Sequence, residues 1–144
     1  LYTIGYEGIS LEEYLNRLIK NDIRLLVDVR RNPLSQKYGF SKKLLSNFCY
    51  KLNIEYIHIP EVGIDSNKRR QLNSQEDYDE LFEDYKSTVL NETTEAQNQI
   101  LELLHNYERI ALTCFEADNC QCHRTHLAKK LKKNPPFNYE IKHI

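Results

Sequence analysis

"IRLLVDV", residues 23–29, is the stretch that decides the fold. Its apolar side chains fall on both parities. A short run of this kind matches a β-strand buried on both faces, the pattern of a parallel sheet covered by helices. The segments around it alternate in the same sense. "YTIGY" (2–6) is a short β-type run that ends among Gly5 and Gly8. Ser10 and Glu13 form an S-x-x-E capping box ahead of "LEEYLNRLI", in which Leu11, Tyr14, Leu15, Leu18 and Ile19 recur at helical spacing.

Downstream, "RRNPLSQKYGF" carries the breakers Asn32-Pro33 and Gly39 and reads as a loop. Ser41 opens a second helix over "SKKLLSNFCYKL", and "IEYIHIP" (54–60) is a strand stopped by Pro60. A polar loop follows from Glu61 to Ser74. Helices are expected at 75–90 and 94–106, the second capped by Thr94-x-x-Gln97. "RIALTCF" (109–115) is a strand, "CHRTHLAKKLKK" a helix, and "YEIKHI" (139–144) a final strand. The order β-α-β-α-β-α-α-β-α-β predicts one α/β domain over 1–144. Its architecture is three-layer α/β/α, with a central, mainly parallel sheet of about five strands.

Composition narrows the functional classes. At 144 residues, 40% hydrophobic and 28% charged, the chain can bury a sizeable core and is not a disordered sequence. No apolar run approaches the ~20 residues of a membrane helix, and "LYTIGYEG" lacks the basic start of a signal peptide. The sequence opens on Leu1 and contains no methionine, so a short leader is expected ahead of it. A cytoplasmic location with free thiols is the expectation, since four cysteines here do not resemble a small secreted scaffold. The net charge of −1 argues against a dedicated duplex binder, although Lys68-Arg69-Arg70 and Lys129–Lys133 are local basic patches.

Parallel strands place their carboxyl ends at one edge, where α/β sheets bind ligands. The residues expected there are Tyr6, Glu7 and Gly8 after the first strand, Asp28 and Arg30 at the end of the second, and His58 and Glu61 after the third. Cys114 and Glu116 end the fourth, and Cys122, His123 and Arg124 begin the next helix. "TIGYEG", "LLVDVR", "NPLS" followed by "GF", "IPEVG" and "TCFEADNCQCHR" together resemble the family named domain of unknown function 488. The resemblance implies an α/β protein whose site residues are Asp28, Arg30, Cys114, Glu116, Cys122, His123 and Arg124. The family pattern does not require Cys120, and "IPEVGI" stands where it is richer in glycine.

Four chemistries fit these residue types. Cys114, Cys120, Cys122, His123 and His126 are soft ligands that suit zinc, but their spacing is irregular and there is no paired C-x-x-C; no bound zinc is expected. Cys122, at a helix start beside Arg124 and His123, is the expected acidic thiol and nucleophile, with Asp28, Glu116 and His123 in acid–base roles. A phosphatase or rhodanese loop is excluded, because it needs a cysteine, five intervening residues and then the arginine, and the position so placed before Arg124 is Asp118. Arg30 and Arg124, with Tyr6, Glu7 and Cys114, would hold an anion at the helix N-terminus; alternatively the arginines and carboxylates are only structural partners. Tyr6, Tyr38 and Phe40 either stack a ring or pack the core edge.

The leading expectation is a small cytoplasmic enzyme acting on a phosphorylated or other anionic ligand, with nucleotides among the candidates. The alternative is a non-catalytic module that binds nucleic acid or a protein partner through the same pocket. The cofactor is left open by the sequence, and no membrane contact is expected.

Overall fold

The computed structural model describes residues 1–144. Five strands form one all-parallel sheet: β1 (Tyr2–Gly5), β2 (Leu25–Asp28), β3 (Glu55–His58), β4 (Ile110–Cys114) and β5 (Lys142–His143). Their order in space is β3-β2-β4-β1-β5. Six helices connect them: α1 (Leu11–Lys20), α2 (Lys42–Lys51), α3 (Gln75–Ser87), α4 (Val89–Glu92), α5 (Thr94–Tyr107) and α6 (His123–Lys132). No helix is long and apolar enough to cross a membrane.

Side-chain parity divides the core into two layers. Leu25, Val27, Ile110 and Leu112 point to the face covered by α3–α6, where Phe82, Tyr85, Ile100, Leu104, Leu127 and Leu131 pack. Ile4, Leu26 and Ala111 point the other way, against Tyr14 and Leu18 of α1 and Leu45 and Cys49 of α2. The three central strands are buried along their whole length. Edge strands β3 and β5 are partly or fully exposed, and β5 is two residues long, which limits the unpaired backbone offered to other chains.

The chain's route creates a crevice. From β2 it leaves toward β3, and from β4 it leaves in the opposite direction, across β1 to β5. Adjacent strands whose connections diverge leave room between their carboxyl ends, and here that gap lies between β2 and β4.

Local details depart from expectation in four places. The last strand covers 142–143 rather than 139–144, and the helix expected at 75–90 breaks at Thr88 into α3 and α4. Thr94 is already helical, so the box with Gln97 does not form; Gln97 is buried and donates to the Leu90 carbonyl at 2.7 Å. The reciprocal box lies at Ser74 and Asp77. Ser10 does cap α1 by accepting from the Glu13 N–H, but the Glu13 side chain turns to Arg17 instead of reaching back.

Gly5 and Gly8 differ in why they are glycine. A Cβ on Gly5 would lie 2.0 Å from the Glu116 carbonyl oxygen, because the loop after β4 crosses over the end of β1 there. Gly8 has open space but a φ of +75°. Gly8→Ala should therefore cost about 1–2 kcal/mol, the left-handed penalty of an L-residue. Gly5→Ala should cost more, reaching or passing the ~1–3 kcal/mol of core overpacking. Urea midpoints at unchanged m-value test the ranking, and a smaller loss at Gly5 would refute the close approach.

Candidate functional site

The sequence-selected residues lie at the carboxyl edge, but parity splits them between its two faces. Asp28 and Arg30 turn toward α1 and α2. Cys114, Glu116, Cys122 and His123 turn toward α3 and α6.

On the first side, Asp28 is fully buried and Arg30 nearly so. Arg30 Nε donates to Asp28 Oδ1 at 2.8 Å and Nη2 to Oδ2 at 2.6 Å, a bidentate pair. Arg30 Nη1 donates to the Tyr6 hydroxyl at 3.0 Å and to the Phe40 carbonyl at 2.7 Å. The Tyr56 hydroxyl donates to Asp28 Oδ2 at 2.5 Å, and the Arg30 backbone N–H to Oδ1 at 3.2 Å. Burial opposes the Arg30 charge, but the bonds to Asp28 and Tyr6 more than offset it and raise its pKa. Burial, then Asp28, likewise raise that of Tyr56. Both groups are thus spent on one another. All four accepting positions of Asp28 are occupied, and four of the five Arg30 N–H bonds are engaged, which leaves one Nη2 N–H on a residue that lines the cleft.

Arg124 is also spent. It is 1% exposed; Nη1 donates to the Glu116 carbonyl at 2.7 Å and Nη2 to Asn119 Oδ1 at 3.1 Å. Its Nε has no partner. With the Ala117 N–H donating to the Glu7 carboxylate at 3.0 Å, Arg124 moulds the loop between β4 and α6. Glu7 and Arg124, both expected to touch ligand, shape the loop. Tyr6 is buried, stacks on Phe40 at 4.3 Å between centroids, and presents an edge to the crevice. Tyr38 is exposed and away from it.

On the second side, the donor atoms of Cys114, Cys122 and His123 lie within 4.8 Å of one another, and all three residues are buried. Cys122 is the N-cap of α6, preceded by a 3-10 turn at Asn119–Gln121. His123 Nε2 donates to the Val29 carbonyl at 3.0 Å, so Nδ1 carries the lone pair. Arg69 Nη2 donates to that Nδ1 at 2.8 Å, and Cys114 Sγ lies 3.6 Å from it. Cys114 donates to Glu116 Oε2 at 3.0 Å, and Glu116 is ion-paired with Arg69. Arg69 comes from a 3-10 turn at Ser66–Arg69, inside the long polar loop.

The thiols reverse the expected order. Burial and then Cys114 push the Cys122 thiol well above the usual range, with Arg124 only partly opposing them. Burial also pushes Cys114 up, but Cys122, the His123 ring and the Arg69 cation outweigh it and bring that thiol well below. The helix-start dipole favours a Cys122 thiolate, yet full burial beside a second sulfur costs more. Cys120 is exposed and outside the cluster.

Between the two sides lies a cleft of about 310 Å³. Its walls include Tyr6, Arg31, Gln36, Arg69, Cys114 and His123. Arg31 and Arg69 were not singled out in the sequence, apart from Arg69's place in a basic triplet. Arg31 adjoins Arg30 but has the opposite parity, and that was the available signal. The Lys129–Lys133 run lies outside this cleft, around a separate hollow with Lys86 and His126.

Two outcomes follow. Asp28→Asn should cost about 3–5 kcal/mol by stranding Arg30, whereas Tyr56→Phe should cost about 0.5–1.5 kcal/mol; chemical denaturation measures both, and near-equal losses would refute the assignment. In reduced, chelator-treated protein, pH-resolved alkylation read by mass spectrometry should show Cys114 titrating below the ordinary thiol range. Cys122, and Cys49, which burial and Asp28 push up to about 12, should stay protected until unfolding. Alkylation of Cys122 ahead of Cys114 would sink this order.

No curated protein and no solved structure matches the chain. One family model, domain of unknown function DUF488, matches residues 10–131. That span leaves β1 and "TIGYEG" outside but runs from the cap of α1 through nearly all of α6, taking in the buried ion pair, the cysteine–histidine cluster and the loop between them. By that match over most of its length, the chain belongs to the DUF488 family.

Proposed function

We propose that the protein is an enzyme acting on a small anionic ligand, phosphorylated or carboxylated, bound in the cleft between the ends of β2 and β4. The observation that carries this reading is the juxtaposition, in one cleft at the sheet's switch point, of three arginines, Arg30, Arg31 and Arg69, with a thiol and an oriented imidazole. Arg31 is exposed and makes no side-chain hydrogen bond in the protein, so its guanidinium can bind two oxygens of a ligand. Arg69 bridges Glu116 and His123. An incoming anion competes for that guanidinium and releases the Glu116 carboxylate beside Cys114. Glu116 then serves as the proton-transfer group, since its carboxylate lies 3.0 Å from the sulfur of Cys114, which lines the cleft. Asp28 is left out of the chemistry because its oxygens are all engaged.

The test is a panel of phosphate- and carboxylate-bearing metabolites, nucleotides included, screened by thermal shift and then by calorimetry. Arg31→Ala and Arg69→Ala should each weaken binding about 10-fold or more, the value of a lost charge-assisted bond; Lys132→Ala should change little. Glu116→Gln should abolish turnover of the bound compound while leaving its affinity within a few-fold. Binding indifferent to both arginines would refute the cleft. Tight, strongly salt-dependent RNA or DNA binding without turnover would replace the enzyme with a nucleic-acid module.

A further inference from the structure

We propose that Cys114, Cys122 and His123 bind a zinc-class divalent cation through two thiolates and Nδ1, with the fourth coordination position open to the cleft beside Glu116. The donor geometry is the first argument. In tetrahedral coordination, Zn–S of about 2.3 Å and Zn–N of about 2.0–2.1 Å separate sulfur from nitrogen by roughly 3.6 Å and sulfur from sulfur by roughly 3.8 Å. Cys114 Sγ and His123 Nδ1 are 3.6 Å apart, and all three donors lie within 4.8 Å of one another. Once Arg69 leaves Nδ1, shifts of about an ångström separate the three donors from a coordination sphere.

The second argument is the outer partner. A metal-bound histidine gives its other N–H to a carbonyl or carboxylate, which sets the tautomer and aims the lone pair. His123 does this through Nε2 to the Val29 carbonyl at 3.0 Å. The third is charge. Two thiolates neutralise a dication in a buried site. Soft sulfur with imidazole selects zinc over magnesium or calcium. Cys122, at the N-cap, makes no side-chain capping bond to the helix, and its sulfur is turned to that of Cys114.

The irregular spacing that argued against zinc in the sequence does not bear on this arrangement. Regular C-x-x-C spacing is needed where a short local loop alone must converge the ligands. Here β4 supplies one sulfur, the start of α6 supplies the other sulfur and the ring, and Glu7, Arg124 and Asn119 close the loop between them.

Arg69 is the built-in competitor. Its Nη2 donates to Nδ1, so the metal must displace it. The Arg69 side chain is 23% exposed and sits on a loop turn, so it can swing toward the cleft. There it joins Arg31 against an anionic ligand whose oxygen takes the open position. This last step rests on the proposed function; the metal site does not.

The experiment uses the full chain, reduced and chelator-treated, titrated with zinc alone against a chromophoric zinc indicator, and with cobalt(II), whose absorption reports thiolate ligation and tetrahedral geometry. One metal per chain with thiolate-to-cobalt absorption is expected. Cys122→Ser and His123→Ala should weaken zinc by more than the 10–100-fold lost with an outer partner, and Cys120→Ser should not. Arg69→Ala should tighten zinc about tenfold or more by removing the competing bond, a gain that no folding defect can mimic. Failure to bind zinc stoichiometrically, or binding indifferent to Cys122→Ser, overturns the proposal. So does a reduced protein that takes up no zinc and instead oxidises to a Cys114–Cys122 disulfide. Zinc binding with no anion affinity would retain the metal site and reject the enzyme.

Discussion

The Asp28–Arg30 pair is the contact on which the carboxyl edge depends. It joins the end of β2 to Tyr6 after β1, to Tyr56 on β3 and to the carbonyl of Phe40 ahead of α2. A buried ion pair is not by itself a source of stability, because desolvation offsets most of the attraction. Its effect is geometric. Asp28 takes three of its four hydrogen bonds from Arg30 and the fourth from Tyr56, while Arg30 divides its Nη1 donors between Tyr6 and the Phe40 carbonyl, so displacing one partner leaves a buried polar bond unmet. The loop from residue 31 to 40 and the approach to α2 are held in place by this requirement.

A second guanidinium does the same on the other side of the crevice. Arg124 and Glu7 take up the backbone of the loop after β4, which passes too close to β1 for anything but glycine at position 5. Arg30 and Arg124 hold the walls from within, and Arg30 also lines the space that Arg31 and Arg69 face from outside. The difference is burial: a cleft can present a cation to a ligand only if the interior has not already consumed it.

Much of the architecture was legible in the sequence. The apolar run at 23–29, the helical spacing of Tyr14 and Leu18 and the breakers at Pro33 and Pro60 are local signals, and they placed the main elements within a few residues. The misses were also physical. Gln97 looked like a capping partner but bonds the turn behind it at Leu90, and "YEIKHI" pairs only at Lys142 and His143 because β1 offers a short edge. For the site, residue types and the edge were readable, while their allocation was not. Arg30 looked like an anion holder because nothing in the sequence shows that Asp28 and the Phe40 carbonyl already occupy it.

By itself the sequence determined the alternation of strands and helices, the parallel sheet this requires, and the edge where polar groups gather. These follow from periodicity, turn chemistry and the handedness of crossovers, all of which act over short stretches of chain. Only the tertiary structure decided that burial works against a Cys122 thiolate, that Arg31 and Arg69 face the cleft, and that Asp28 is paired with Arg30 and Tyr56. Those outcomes depend on desolvation and on contacts between distant segments, such as Arg69 with His123 and Val29 with His123. Such contacts set the cost of each charge, and no local pattern encodes them.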